Sequence, residues 1–175
     1  YPSRRLKLVG VTGTNGKTTV TWLIDRIFAD AGYKTGVLGT IGVKYGDVNL
    51  PAERTTQEAP DLQRTLRWMA DAGVEVCAME VSSHALELGR VKGCRFRTAV
   101  FTNLTQDHLD YHVTMERYRA TKGLLFARLA CDGPGDGRQF AVLNADDEAS
   151  AEYARLTAAQ VITYGIEREA DIMAK

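Results

Sequence analysis

Residues 12–18 hold the side chains whose types and spacing most clearly predict chemistry. They read Thr-Gly-Thr-Asn-Gly-Lys-Thr, after an apolar stretch and before a helical pattern. A glycine loop between a strand and a helix can wrap phosphates, because its backbone N–H groups and the helix dipole point at the anion. We therefore expect Lys17 to contact phosphates and the Thr18 hydroxyl to reach a magnesium ion.

This loop departs from the strict Gly-x4-Gly-Lys-Ser/Thr pattern, because Val11 stands where the first glycine would be. Gly10, Gly13 and Gly16 supply the flexibility, which indicates a variant phosphate loop. The alternative is an ordinary glycine turn. The agreement of strand, loop, Lys-Thr pair and helix argues against that alternative.

A carboxylate is predicted beside the loop. Residues 74–81 form an apolar run that carries Glu80 near its carboxyl end, and Ser-Ser-His follows the run at once. A carboxylate at a strand tip beside a phosphate loop suits a magnesium ligand. The alternative is a glutamate that caps a helix beginning near Ser82.

Histidines and aspartates crowd the end of the next predicted strand. Residues 101–112 read Phe-Thr-Asn-Leu-Thr-Gln-Asp-His-Leu-Asp-Tyr-His, which places His108 and His112 four residues apart. That spacing occurs in helical zinc pairs, although no Glu-x-x pattern accompanies it. A catalytic or metal role and a structural role both stay open.

Lys122 lies on the apolar stripe of a predicted helix, four residues after Tyr118 and three before Leu125. An amine held among apolar neighbours loses some preference for its charged form. A neutral amine can take up carbon dioxide as a carbamate, which is a metal-binding anion. The pattern alone favours the alternative, in which the lysine stem carries its amine to water.

Strand-like and helix-like patterns alternate along the chain. The predicted strands cover 6–11, 35–41, 74–81, 97–102, 139–143 and 160–164. The predicted helices cover 18–31, 60–72, 114–130 and 146–158. We expect a hairpin over 43–50 and a surface loop over 132–137. The alternation predicts an α/β fold with a mostly parallel sheet flanked by helices, and ligands at the carboxyl ends of its strands.

Composition narrows the classes of function. The 175 residues contain 22 basic and 22 acidic side chains, so no basic excess indicates a nucleic-acid partner. Cys77, Cys94 and Cys131 are widely spaced, which fits core residues of a reducing compartment. No apolar run is long enough for membrane insertion. We expect a cytoplasmic protein, and oligomeric state is not indicated.

Together these motifs resemble the Mur ligase family, most closely its MurE type, which adds the third amino acid to the cell-wall peptide precursor. The resemblance extends along nearly the whole chain. Its carriers are residues 12–18, 55–56, 79–86, 102–112, the Lys122 helix and 143–147. Five or more motifs in order make it far more specific than the first motif alone.

The resemblance implies a P-loop fold that binds ATP and two Mg²⁺ ions. Thr18 and Glu80 are implied ligands of one ion, and His108 and carbamylated Lys122 of the second. Asn144 and Asp147 are implied to contact adenine. The implied phosphate-binding residues are Gly13, Thr14, Asn15, Gly16, Lys17, Thr18 and Thr19.

The resemblance also implies the reaction: an ATP-dependent ligase would join meso-2,6-diaminopimelate to UDP-N-acetylmuramoyl-L-alanyl-D-glutamate through an acyl phosphate. The implied substrate-binding residues are Thr55, Thr56, Ser82 and Arg90. Leu88 and Gln57 depart from the family, where glutamine and proline are common. Each departure puts one substrate contact in doubt.

Several alternatives stay open. One is a MurE-type ligase that adds L-lysine, and another is a relative of folylpolyglutamate synthetase. A nucleotide-driven switch is disfavoured, because no Asn-Lys-x-Asp guanine reader is present. A non-catalytic P-loop nucleotide-binding fragment is the fourth.

The limits of the chain predict its domain organisation. It opens on the first strand and stops at Lys175, where residues 170–175 suggest another strand beginning. We expect residues 1–175 to be a truncated central ATP-binding domain without the UDP-binding and amino-acid-binding domains of the family. Such a chain alone is expected neither to ligate nor to hydrolyse ATP at a useful rate.

Overall fold

Strands and helices alternate along the chain, as the apolar pattern predicts. The computed structural model describes residues 1–106, 112–129 and 138–174. The strands are β1 Lys7–Thr12, β2 Thr35–Gly39, β3 Gly42–Tyr45, β4 Val48–Leu50, β5 Val76–Glu80, β6 Thr98–Phe101, β7 Phe140–Asn144, β8 Gln160–Gly165 and β9 Ile172–Met173. The helices are α1 Lys17–Asp30, α2 Ala59–Asp71, α3 Ser83–Glu87, α4 Met115–Ala127 and α5 Ala149–Leu156, and a 3-10 turn over Pro2–Arg5 precedes β1.

The nine strands form one sheet in the order β4-β3-β2-β5-β1-β6-β7-β8-β9. Neighbouring strands are parallel except at the β2–β3 and β3–β4 pairs, which are antiparallel. The β3–β4 pair forms the predicted hairpin. β1 lies between β5 and β6, with Val11 opposite Glu80 and Thr12 opposite Phe101. The carboxyl ends of these three parallel strands therefore lie side by side, where ligands of such sheets bind.

Helices cover the sheet on both faces, so the central strands are apolar on both sides. On one face, α1 packs Val20, Ile24 and Phe28 against a cluster of valines from β1, β5 and β6. On the other face, α2, α4 and α5 contribute a larger core. Its helical members include Leu62, Leu66, Met69, Leu125, Phe126 and Tyr153.

The predicted α/β class, the six predicted strands, the four predicted helices and the hairpin are confirmed, with shifts of a few residues at their ends. The sequence indicates α3 only through the alternative in which Glu80 caps a helix beginning near Ser82. The five residues of α3 are too few to show a helical period. The Ser82 hydroxyl caps it by accepting from the N–H of Ala85 at 3.2 Å. The surface loop predicted over 132–137 and Cys131 lie outside the described residues. Within the described ranges, no helix is long and apolar enough to cross a membrane.

Leu66 on α2 tests the larger core. Leu66 is 0% exposed, whereas Leu23 on α1 is 56% exposed. We expect Leu66→Ala to lower the free energy of unfolding by about 2–5 kcal/mol, because it leaves a cavity. Leu23→Ala makes the same chemical change on the surface and should cost about 0.5 kcal/mol or less. Denaturant unfolding measures both, and equal losses would contradict this view of the core.

Candidate nucleotide-binding site

The glycine loop follows β1 and packs closely against the tip of β6. Gly13 has a φ of 148°, in the region that favours glycine. A Cβ atom built at Gly13 would collide with the Thr102 hydroxyl oxygen. Glycine is therefore required here both by the backbone conformation and by the approach of the neighbouring strand.

The glycine loop leads directly into α1, which begins at Lys17 after Gly16. The Val20 N–H donates to the Gly16 carbonyl at 2.9 Å, which closes the first turn of α1. The N–H groups of the preceding helical residues have no acceptor within the helix. They lie at the positive end of the helix dipole, which is the arrangement that holds an anion.

Lys17 lies across the loop. Its Nζ donates to the carbonyl oxygens of Gly13 at 2.8 Å and of Thr14 at 2.7 Å. The amine is thus held over the glycine loop rather than extended into water. Bound phosphate oxygens could replace these carbonyl oxygens as partners of the amine, because both accept hydrogen bonds.

Thr18 and Glu80 meet at the tips of β1 and β5. The Thr18 hydroxyl donates to Glu80 Oε1 at 3.0 Å, and Glu80 is 1% exposed. Thr40, just after β2, donates its N–H at 2.8 Å and its hydroxyl at 3.2 Å to the same carboxylate. The hydroxyl of Thr18 and the carboxylate of Glu80 both offer hard oxygen ligands to a metal, so the pair fits one Mg²⁺ ion.

Lys122 points into the site from α4. Its side chain is 1% exposed, and its Nζ donates to the Gly13 carbonyl at 3.0 Å. The amine also lies 4.4 Å from the centre of the Tyr118 ring, whose hydroxyl is 3.3 Å from the Thr14 hydroxyl. The apolar pattern alone favoured a Lys122 amine that extends into water, and that interpretation is wrong. The face of α4 that carries Lys122 packs over the phosphate loop, so the amine is buried there.

The two histidines have different outcomes. His108 lies outside the described residues. His112 is 0% exposed, with Nε2 at 2.8 Å from the Ser83 hydroxyl and Nδ1 at 3.3 Å from Glu87 Oε2. Both ring nitrogens of His112 thus face α3, which favours the structural role among the two that the sequence left open.

The four predicted substrate residues form one network beside Glu80. The Thr56 hydroxyl donates to the Glu80 carbonyl at 2.9 Å and accepts the Ser82 N–H at 3.1 Å. Arg90 donates to the Thr56 carbonyl at 3.3 Å, and the Thr55 hydroxyl lies 3.1 Å from the Thr40 hydroxyl, which itself bonds to Glu80. The network brings these residues together at the same edge of the sheet.

Of the two residues that depart from the family, Leu88 is 58% exposed after α3. Gln57 has a buried Oε1 for which the structure shows no hydrogen-bond donor. Neither observation assigns a substrate contact to these two side chains.

The two residues implied to contact adenine, Asn144 and Asp147, have their polar atoms engaged within the chain. Asn144 donates from Nδ2 to the Thr102 carbonyl at 2.8 Å, and its Oδ1 accepts the Asp146 N–H at 3.0 Å. Asp147 accepts the Leu104 N–H at 2.6 Å and the Ala149 N–H at 2.9 Å. An adenine contact by either residue stays a prediction.

Several residues of the site were missed or left without a role in the sequence analysis. Thr40 lies near the end of the strand predicted over 35–41, and Asn103 follows the strand predicted over 97–102. Position at a strand end was the available signal for both. Asp146 was missed because its partners are remote: its carboxylate accepts the N–H groups of residues 166–168 at 2.7–3.1 Å. The N–H groups of Ile166 and Arg168 hold the pKa of Asp146 below its ordinary value.

The chain is similar to known proteins along nearly its whole length. Residues 11–175 match the Mur ligase middle domain. A UDP-N-acetylmuramoyl-L-alanyl-D-glutamate--2,6-diaminopimelate ligase of Bacillus velezensis is 55% identical over 99% of this chain. The enzyme of the same name from Geobacillus thermodenitrificans is 57% identical over the same share. In both comparisons the chain spans only 36% of the relative's length.

Solved structures agree with this result. A structure of UDP-N-acetylmuramoyl-L-alanyl-D-glutamate--2,6-diaminopimelate ligase is 34% identical with a TM-score of 0.84, covering 96% of this chain and 34% of that one. An Escherichia coli FolC structure shares the fold alone. It is 20% identical with a TM-score of 0.65, covering 95% of this chain and 45% of that one. The family match over nearly the whole chain and the site geometry lead to one conclusion: the chain belongs to the Mur ligase middle-domain family.

Proposed function

We propose that this chain is the ATP-binding part of a ligase that adds meso-2,6-diaminopimelate to UDP-N-acetylmuramoyl-L-alanyl-D-glutamate. The observation that carries the proposal is the contact of Thr18 with Glu80 beside a glycine loop that also receives the Lys17 and Lys122 amines. The names of relatives that are 55% and 57% identical support diaminopimelate as the added residue. The alternatives of L-lysine addition and folate-type ligation lack comparable support.

The reaction would bring a substrate carboxylate up to a triphosphate, so the site must offset repulsion between anions. Lys17 contributes a cation, and the first N–H groups of α1 contribute fixed dipoles that need no rearrangement. Mg²⁺, when bound, supplies further positive charge at the phosphates. The γ-carboxylate of D-glutamate would take the γ-phosphoryl group of ATP, which forms an acyl phosphate and releases ADP. The amine of the diamino acid would then attack the acyl carbon, form the amide bond and displace phosphate.

Glu80 and Thr18 would hold one Mg²⁺ ion. Glu80 is already oriented by Thr40, so its carboxylate is fixed before a metal arrives. Preorganised oxygen ligands lose little freedom on binding, which favours a small ion that demands regular geometry. The network of Thr55, Thr56 and Ser82 would place the dipeptide substrate next to that ion.

Lys122 would act as a carbamate and, with His108, hold a second Mg²⁺ ion. The support from the described residues is the burial of the amine and its position against the Tyr118 ring and the Gly13 carbonyl. Carbamylation would replace a buried cation by an anion with two hard oxygen atoms. Such an anion suits a magnesium ion better than an amine does.

Residues 1–175 would form the central ATP-binding domain of the ligase. The chain spans 36% of the length of its curated relatives, so uridine binding and amino-acid binding would belong to other parts of the full-length protein.

Ligation by the full-length protein tests the proposal. Release of phosphate from ATP should require both the UDP-linked dipeptide and meso-diaminopimelate. Lys17→Ala should reduce the rate on the order of 100-fold, because it removes a cation at the developing charge. Lys34→Ala is the matched control, since Lys34 is exposed ahead of β2. An enzyme that prefers L-lysine, or one that is insensitive to Lys17→Ala, would contradict the proposal.

Glu80→Gln tests the magnesium site. The amide keeps an oxygen that can accept from Thr18 but loses the negative charge that attracts the metal. The Mg²⁺-dependent gain in ATP affinity, measured by calorimetry with and without the metal, should fall at least about tenfold. Glu75→Gln changes an exposed carboxylate near the other end of β5 and should leave the gain intact. Equal behaviour of the two variants would exclude Glu80 as a ligand.

Carbon-13 NMR tests the carbamate. Protein equilibrated with ¹³C-labelled bicarbonate should show a carbamate carbonyl signal that is absent from Lys122→Arg, because the guanidinium does not react in this way. Lys92→Arg removes an exposed lysine and should keep the signal. If the wild type lacks the signal, Lys122 acts as an amine, and the phosphate-binding role of Lys17 is unaffected.

A further inference from the structure

Asn103, just beyond the tip of β6, pairs with the backbone of the phosphate loop. Its Oδ1 accepts the N–H of Asn15 at 3.0 Å, and its Nδ2 donates to the carbonyl of the same residue at 3.2 Å. Its own carbonyl accepts the Thr14 N–H at 2.8 Å. One asparagine thus satisfies both polar groups of one loop residue and the donor of the residue before it.

The residues on either side of Asn103 extend this pairing. The Thr102 hydroxyl donates to the Asn15 carbonyl at 2.6 Å. Thr105 donates its N–H to the Thr14 hydroxyl at 3.0 Å and accepts from that hydroxyl with its carbonyl at 3.2 Å. We call residues 102–105 the β6-tip clamp, because the bonds just described join this segment to Thr14 and Asn15 of the loop.

The β6-tip clamp is itself held from behind. Asn144 and Asp147 bond to the Thr102 carbonyl and the Leu104 N–H, as described above. Tyr164 on β8 donates from its hydroxyl to the Phe101 carbonyl at 2.9 Å, and burial raises the pKa of that hydroxyl, which keeps it protonated as a donor. Side chains on β7 and β8, and Asp147 just after β7, therefore fix a segment that in turn fixes the loop.

A glycine-rich loop has many accessible backbone conformations, and ordering it costs conformational entropy. A loop that is ordered before nucleotide arrives avoids that cost at the moment of binding. The clamp also engages the N–H groups of Thr14 and Asn15, whereas the donors at the start of α1 have no acceptor within the helix. Phosphates would therefore meet a loop whose shape is already set.

We propose that Asn103 is a positioning residue for ATP, which holds the phosphate loop in its binding conformation before nucleotide enters, with Asn144 and Asp147 supporting it from behind. The inference rests on the proposed function, because a preformed loop matters only if the loop binds phosphates. It assigns Asn144 and Asp147 a role in loop geometry that needs no contact with adenine.

Amide hydrogen exchange of the nucleotide-free protein tests the clamp directly. In Asn103→Ala the Asn15 N–H loses its acceptor, so its exchange should accelerate about tenfold or more. Thr102→Val keeps the shape of the side chain but removes the hydroxyl, and should accelerate the same exchange, whereas Thr102→Ser should restore it. Asn49→Ala, on edge strand β4 and exposed, is the matched control.

ATP binding by the same variants completes the test. Asn103→Ala should weaken ATP binding about tenfold with an unchanged midpoint of denaturation, whereas Lys17→Ala should weaken binding without accelerating exchange at Asn15. The inference would be overturned if Asn103→Ala and Asn49→Ala showed the same exchange rate at the Asn15 N–H, or the same affinity for ATP. If the wild type and Lys17→Ala bind ATP equally, the proposed function fails instead, and the exchange rates alone decide whether the clamp exists.

Discussion

The parallel pairing of β1 with β5 on one side and β6 on the other is the constraint on which the site depends. It sets Val11 opposite Glu80 and Thr12 opposite Phe101. Because parallel strands end at one edge, the glycine loop, the buried carboxylate and the segment after β6 meet there without any long connection. A slip of the β1–β5 register by one residue would turn Glu80 to the other face of the sheet and separate it from Thr18.

Two buried ionisable side chains lie at this edge of the sheet. Glu80 and Lys122 are each 1% exposed, and a buried carboxylate or amine is costly unless hydrogen bonds compensate it. Thr18 and Thr40 bond to Glu80, and the Gly13 carbonyl accepts from Lys122. Such groups, gathered at the end of a sheet, are expected where chemistry rather than stability has selected them.

Successive segments at this edge of the sheet are joined by hydrogen bonds, and each segment restricts the next. Side chains of β7 and β8 bond to the end of β6, the β6-tip clamp bonds to the loop, and the loop carbonyls receive Lys17 and Lys122. The close approach of Thr102 to Gly13 leaves no room for a side chain at that position. Packing and hydrogen bonding together thus confine a glycine-rich segment that would otherwise be flexible.

The sequence alone determined the alternation of strands and helices and the nature of the loop at residues 12–18, because period and glycine spacing are local properties. It also placed Glu80 at a strand tip. Tertiary structure decided which strand tips are neighbours, and hence that Lys122 points at Gly13 rather than at water. The partners of Asn103, Asn144 and Asp146 likewise lie in segments remote in sequence. A hydrogen bond between distant segments leaves no periodic trace in the sequence, so only the folded chain could reveal how the loop is held.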